Sequence, residues 1–236
     1  MSGGAGIVAA LAAEARRLGP TETRPDGLST LPNGNLVCIA GIGSVAARGA
    51  EALVSAGAKS LVSFGFAGGL DPTLRAGTVF LPSEVIGGGA AFSVARDWRE
   101  RLSRALLAQE PLVGGKLLTS PRPVESAAAK AALFHSTGAA AVDMESIWVA
   151  QAARDSGVPF IAVRVIVDTA FDRVPAAAWR ATAPDGHVKP GPLVLAVLRR
   201  PLDLGALIRL ALRYRVAVRA LDAVAPAFSA PRASES

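Results

Sequence analysis

One cysteine, two histidines, few aromatics and no long apolar run are the shortages of this 236-residue chain. A lone cysteine excludes a disulfide within the chain and suits a reducing compartment. Set in Leu36-Val37-Cys38-Ile39-Ala40, it reads as a small core residue. His135 and His187 have no cysteine or acidic neighbour at ligand spacing, so no metal site is expected. Nothing reaches the roughly 18 apolar residues that a membrane span needs. With aromatics at 5%, no basic stretch carries the interleaved rings of a nucleic-acid surface. The net charge of +6 permits an anionic partner without requiring one, and no nucleic acid is expected. The segment 6–13 runs straight into Glu14, Arg16 and Arg17, which reads as a first core strand rather than a secretory signal and implies a cytoplasmic protein.

Apolar residues, mostly Ala, Val and Leu, make up 51% of the chain and are enough for a sizeable core. Strand-like runs at 6–12, 36–40, 61–64, 79–81, 83–86, 112–118 and 160–167 alternate with helical stretches at 45–56, 98–107, 125–135 and 144–156. That alternation is the pattern of an α/β fold. Ser44 is placed to cap the first of these helices, and Trp148 to face the core from the last. Residues 21–34 read as loop or hairpin, and 175–191, rich in proline, as a flap. The chain divides into a catalytic domain over 1–200, a basic amphipathic helix over 201–225 and a disordered tail from 226 to 236. The helix carries Arg209, Arg213, Arg215 and Arg219 among apolar residues; it either packs on the sheet or lies on an anionic membrane face.

The acids carry the chemistry. Asp143 and Glu145 stand at a strand-to-helix junction, and Asp168 closes an otherwise apolar strand that also holds Arg164. A buried acid is costly unless it is paired or used. In an α/β sheet the crevice beyond the carboxyl ends of the strands is where ligands bind. Asp168 and Glu145 are therefore expected to share one cleft. The plainer alternatives are an Asp168 salt bridge with Arg164 or Arg173, Glu145 as a helix cap, and a solvated Glu14 beside Arg16 and Arg17. Gly41-Ile42-Gly43-Ser44 opens a helix and favours an anion, but lacks the third glycine of a dinucleotide site. Gly65-Phe66-Ala67-Gly68-Gly69-Leu70 marks a turn or a close ligand approach.

Four segments, in order, resemble the nucleoside phosphorylase and nucleosidase superfamily, above all its methylthioadenosine/S-adenosylhomocysteine nucleosidase branch. They are the stretch ending in Glu14, Gly41-Ile42-Gly43, the glycine cluster from Gly65, and Asp143-Met144-Glu145 with Arg164 and Asp168. The phrase Phe64-Gly65-Phe66-Ala67-Gly68-Gly69-Leu70-Asp71-Pro72 and the basic C-terminal helix are similar to hopanoid-associated phosphorylases. The resemblance implies a three-layer α/β/α sandwich around a mixed, largely parallel central sheet. It implies cleavage of a purine N-glycosidic bond by hydrolysis or phosphorolysis, with adenosylhopane as substrate and a small adenosyl thioether or futalosine as the alternative. A non-catalytic nucleoside-binding or membrane-recruited scaffold is the alternative of another class.

By the same resemblance Asp168 is the acid that protonates the base, and Glu14 positions the attacking water. Glu145 grips the ribose, Met144 packs on the sugar, and Val142, Asp143, Phe66, Ala67, Gly68 and Arg164 complete the substrate site. Arg164 is expected to orient an acid rather than react. Gly43 and Arg48 form the phosphate or water site. No cofactor is implied beyond inorganic phosphate as co-substrate. The substrate is a small or lipid-linked nucleoside, the C-terminal helix touches the inner membrane face, and the protein is a homo-oligomer. Two positions depart from the phosphorylase pattern: Ser63 and Phe66 stand where those enzymes carry an arginine and a hydroxyl. The segment 119–125 lacks the purine-stacking aromatic of the nucleosidases, which leaves the base to backbone groups near Val142, to Phe66, or to packing by Val167 and Phe171.

Overall fold

Two apolar runs form the middle of the molecule. In the computed structural model, which describes residues 4–106, 112–174 and 204–230, β5 (Ser60–Gly69) and β12 (Phe160–Asp168) pair in parallel from Phe160↔Leu61 to Asp168↔Gly68. Both are almost wholly buried, as continuous apolar strands covered on two faces should be. β1 (Ala5–Ala9) pairs in parallel with β5, and β4 (Leu36–Ile39) with β1. β11 (Ala139–Asp143) meets the far end of β5 antiparallel, at Gly68 and Gly69. The margins are antiparallel hairpins: β2 (Glu22–Thr23) with β3 (Ser29–Thr30), and β7 (Glu84–Gly87) with β8 (Ala90–Ser93). The sheet is thus mixed, with a parallel centre.

Helices cover both faces. Ser63 and Phe64 are adjacent on β5 and so point to opposite sides. The Ser63 hydroxyl meets Ser146 at the start of α5 (Ser146–Asp155), which packs with α2 (Ala46–Ser55). The Phe64 ring packs edge-on against Phe228, with centroids 5.8 Å apart, on the side where α6 (Leu204–Val224) crosses β12. The short α1 (Ala12–Ala15) follows β1, and α3 (Arg96–Leu106) and α4 (Ala127–Thr137) flank the margins. Ser126 caps α4 by accepting the Ala129 N–H at 3.1 Å.

Several expectations are corrected. The glycine cluster is not a turn, because β5 continues through it to Gly69. Ser44 does not cap α2; a 3-10 turn, Gly43–Val45, intervenes and Ser44 is exposed. Trp148 is 38% exposed rather than in the core. The tail is not disordered from 226: α7 (Pro226–Ser229) buries Phe228. The Asn33 and Asn35 side chains donate to the Phe228 carbonyl at 2.7 and 2.8 Å, and this anchoring is what holds the segment. The C-terminal half of α6 packs as an ordinary core helix through Ala217, Ala220, Leu221 and Val224, while Ile208, Leu212 and Val216 are exposed. The expected flap over 175–191, the 200/201 boundary and the last six residues lie outside the described residues.

Candidate active site

A cavity of about 370 Å³ opens where β1, β5, β11 and β12 reach their carboxyl ends. Glu14, Glu145 and Asp168 all line it, together with Phe66, Ala67, Gly68, Val142 and Met144. The two acids expected to share one cleft do so. α6 closes one wall with Leu210, Ala211 and Tyr214.

Glu14 is set by its own helix start. At the third position of α1 its Oε2 accepts the Leu11 N–H at 2.9 Å, the back-bonding half of a capping box. Its Oε1 accepts the Phe66 N–H of β5 at 2.9 Å. The side chain is buried, not solvated. Burial pushes its carboxyl above the ordinary value, and the Arg164 charge and the backbone donors oppose that rise. The glycine cluster explains itself here. A Cβ at Gly65 would overlap the Glu14 carboxylate, and one at Gly68 would lie 3.1 Å from Asp168 Oδ2. The protein's own acids approach closely here, while Phe66, Ala67 and Gly68 of the same cluster line the cavity.

Glu145 occupies the N-cap position of α5 but makes no side-chain cap bond there. Its Oε1 instead accepts the Gly43 N–H at 3.1 Å, and its Oε2 the Met144 N–H at 3.3 Å. Burial, then repulsion from Asp143, raises its carboxyl to about 8, against the pull of Arg164.

Asp143 lines the cavity floor and is paired with Arg164, which does not line it. The Arg164 Nε donates to Asp143 Oδ2 at 2.9 Å, and its Nη2 to the hydroxyls of Ser63 and Ser146 at 2.6 and 3.0 Å. Asp143 Oδ1 accepts the Thr119 hydroxyl at 2.7 Å, and the Ser146 N–H reaches its carboxylate at 3.2 Å. Arg164 orients an acid, as expected, but that acid is Asp143. Asp143 keeps a place in the cavity lining, whereas Arg164, spent on it and on the base of α5, does not reach the cavity, so direct substrate contact is corrected for Arg164 alone. Ser63, in the place of a phosphorylase arginine, is spent there too. Gly43 serves Glu145. Arg48 is exposed on α2 and does not line the cavity, so it offers no replacement for a phosphate clamp.

Asp168 is paired not with Arg164 but with a lysine. Lys130, on α4, sits against its Oδ2 and donates also to the Thr169 carbonyl at 2.7 Å. The two side chains are 1% and 7% exposed. Burial raises the Asp168 carboxyl, while the nearby Lys130 and Arg213 charges draw it down.

Phe171 is 72% exposed and outside the cavity, so the aromatic surface comes from elsewhere. The Phe66 ring packs against Tyr214, with centroids 5.3 Å apart. Tyr214 is the only tyrosine in the chain, and Lys130 the only charge between Ser126 and Leu133. Those two oddities were the signals available to sequence reading, which missed both residues. Among the described residues no cluster of His, Cys, Asp and Glu could hold a metal ion, and no helix is long and apolar enough to cross a membrane.

The family model for the phosphorylase superfamily matches residues 30–199. No curated protein matches the sequence. Among solved structures, the fold is similar to that of a Helicobacter pylori MTAN mutant, an Asp-to-Asn variant with 5′-methylthioadenosine in its active site. That similarity has a TM-score of 0.67 and 18% identity over 86% of this chain and 99% of that one. It is also similar to the Neisseria meningitidis 5′-methylthioadenosine/S-adenosylhomocysteine nucleosidase in complex with methylthio-immucillin-A, with a TM-score of 0.69 and 17% identity over 93% and 95% of the two chains. A Helicobacter pylori futalosine hydrolase mutant matches with a TM-score of 0.63 and 17% identity over 70% and 90%.

Proposed function

The chain is an enzyme of the phosphorylase superfamily, and we propose that it splits the N-glycosidic bond of a purine nucleoside with water as the nucleophile. One observation carries this reading: three buried carboxyl groups, from Glu14, Glu145 and Asp168, converge on one nucleoside-sized cavity. Purines leave poorly as anions, and the sugar they leave becomes an oxocarbenium-like cation. Asp168 gives a proton to N7 of the leaving base as the bond from C1′ breaks. Glu145 accepts the ribose hydroxyls and, in its ionised form, faces the developing positive charge. Glu14 takes a proton from water as its oxygen attacks C1′. The products are free adenine and the free sugar. Water is favoured over phosphate because the floor residue Ser63 is committed to Arg164, and Arg48 lies away from the cavity.

The test is incubation with adenosine-type nucleosides in buffers with and without phosphate, with the sugar identified by mass spectrometry. Equal rates and an unphosphorylated sugar are expected; a sugar 1-phosphate overturns the choice of water. Asp168→Asn is expected to lose at least about 10²-fold in turnover, the usual contribution of a general acid.

The 5′ substituent is proposed to be large and apolar, with adenosylhopane as the substrate. Two features support this over a small thioether: the apolar wall that α6 adds to the cavity, and the exposed stripe Ile208, Leu212 and Val216 beside that wall, flanked by Arg209, Arg215 and Arg219. Such a face suits the boundary of an anionic membrane. Comparison of kcat/KM on methylthioadenosine, futalosine and a lipid nucleoside tests the substrate. Flotation with anionic vesicles, wild type against Leu212→Asp, tests the face; equal recovery of the two overturns it. A homo-oligomer, implied by the family, is tested by light scattering.

A further inference from the structure

Lys130 has no part in the chemistry described so far, yet it is among the most deeply buried groups in the molecule. Burying an ammonium is costly unless its partners are close and well aimed. Here the partners are the acid proposed to protonate the base and the carbonyl of the next residue, Thr169. α4 brings the cation in from 38 residues away in the chain. The cavity reaches both Lys130 and Asp168, so a base seated there meets the pair and not an isolated carboxyl. This poses a difficulty for general acid catalysis: a carboxylate fully matched to an ammonium has no proton to give, whereas a buried carboxyl with no cation nearby holds its proton too tightly to part with it.

We infer that Lys130 is a positioning residue for Asp168, aiming its carboxyl at the leaving base and setting the pH range over which that carboxyl donates a proton. The inference rests on the cleavage reading above. The charged neighbours of Asp168 can be named from each element packed on it. α4 supplies Lys130. α6 supplies Arg213, whose guanidinium is paired with Asp172 and whose Nη1 donates to the Thr169 hydroxyl at 3.0 Å. β5 presents Gly68 and β11 presents Val142, neither of them charged. Lys130 is in direct contact with Asp168, and Arg213, held by another acid, is a weaker influence. The ammonium opposes what burial does to Asp168. Removing it leaves burial nearly unopposed, so Asp168 keeps its proton to higher pH and becomes a weaker acid.

The experiment is the pH dependence of kcat/KM for wild type, Lys130→Met, Lys130→Gln and Lys130→Arg, with the folded fraction of each checked by thermal melting. In Met and Gln variants the basic limb, which reports loss of the donor proton, is expected to move up by about one unit or more, the scale of a close opposite charge. On the plateau their kcat is expected to fall about tenfold while KM changes little. Arg restores the cation and returns the limb towards its wild-type place. A limb that stays put in Met and Gln variants, with rate alone reduced, overturns the inference and leaves Lys130 a structural ion pair. An infrared titration of the Asp168 carboxyl, taken as the difference between wild type and Asp168→Asn, needs no turnover; a midpoint unmoved by Lys130→Gln also overturns it. Failure of the cleavage reading looks different. It shows as no adenine released by wild type, or as full activity in Asp168→Asn, and the infrared midpoint then still judges the Lys130–Asp168 pair.

Discussion

At the scale of single residues, the acids are placed by the groups that leave them room. Gly65→Ala would ordinarily stabilise a strand slightly, since alanine loses less backbone freedom on folding. Here the added Cβ meets the Glu14 carboxylate, which the Leu11 and Phe66 N–H groups hold in place. With the positive φ of 156° at Gly65 also strained for alanine, we expect Gly65→Ala to lose about 1–3 kcal/mol of stability and at least about tenfold in kcat, as read by urea unfolding and steady-state kinetics. Unchanged kcat would mean that Glu14 does not position the nucleophile. Arg164 is a different kind of residue. Its guanidinium neutralises Asp143 and also faces Glu14 and Glu145 across the floor. Arg164→Met strands a buried carboxylate, and a loss of about 3–5 kcal/mol is expected in the same unfolding experiment.

At the scale of elements, α6 belongs to two environments. Its C-terminal half is core, whereas its N-terminal half forms a cavity wall and exposes a stripe of apolar side chains. Tyr214 stands at the change-over, with its ring on Phe66. An aromatic pair contributes about 0.5–1.5 kcal/mol beyond area burial. Tyr214→Ala should therefore raise KM by roughly two- to tenfold, with kcat little changed and Tyr214→Phe near wild type. An unaltered KM would show that the Phe66–Tyr214 pair is packing for the helix and not a surface for substrate. α4 has the opposite character. Its sequence is nearly featureless, and its one buried charge is the group that reaches Asp168.

At the scale of the whole molecule, three buried carboxyl groups shape the response to pH. Glu14, Glu145 and Asp168 all titrate higher in the folded protein than in an open chain. Between the unfolded value and the raised folded value the native state binds more protons, so stability is full below the unfolded value and falls as pH rises. For Glu145 that window runs from 4.5 to about 8. The melting temperature without substrate is expected to decline across it, and Glu145→Gln to flatten the decline. A rising melting temperature over the same range would contradict the raised carboxyl.

Much of this could be read along the chain. Alternating apolar runs and alanine-rich stretches reveal an α/β sheet because side-chain periodicity is local, and an acid closing a buried strand stands out because its burial is costly wherever the strand goes. Asp168 and Glu145 in one cleft follow from that reasoning. It was the partners that local pattern could not supply. Arg164 could have matched any of several acids, and only the register of β12 on β5, with α5 seated above, turns it to Asp143 and Ser63. Lys130 and Tyr214 come to the cavity from elements far along the chain, and a lone lysine or tyrosine carries no periodicity of its own. Periodicity thus determined the α/β architecture and set Asp168 and Glu145 at one cleft, and the resemblance named their roles and that of Glu14, while tertiary packing decided which cation, which ring and which backbone donors meet them, because those contacts exist only after distant segments have been brought together.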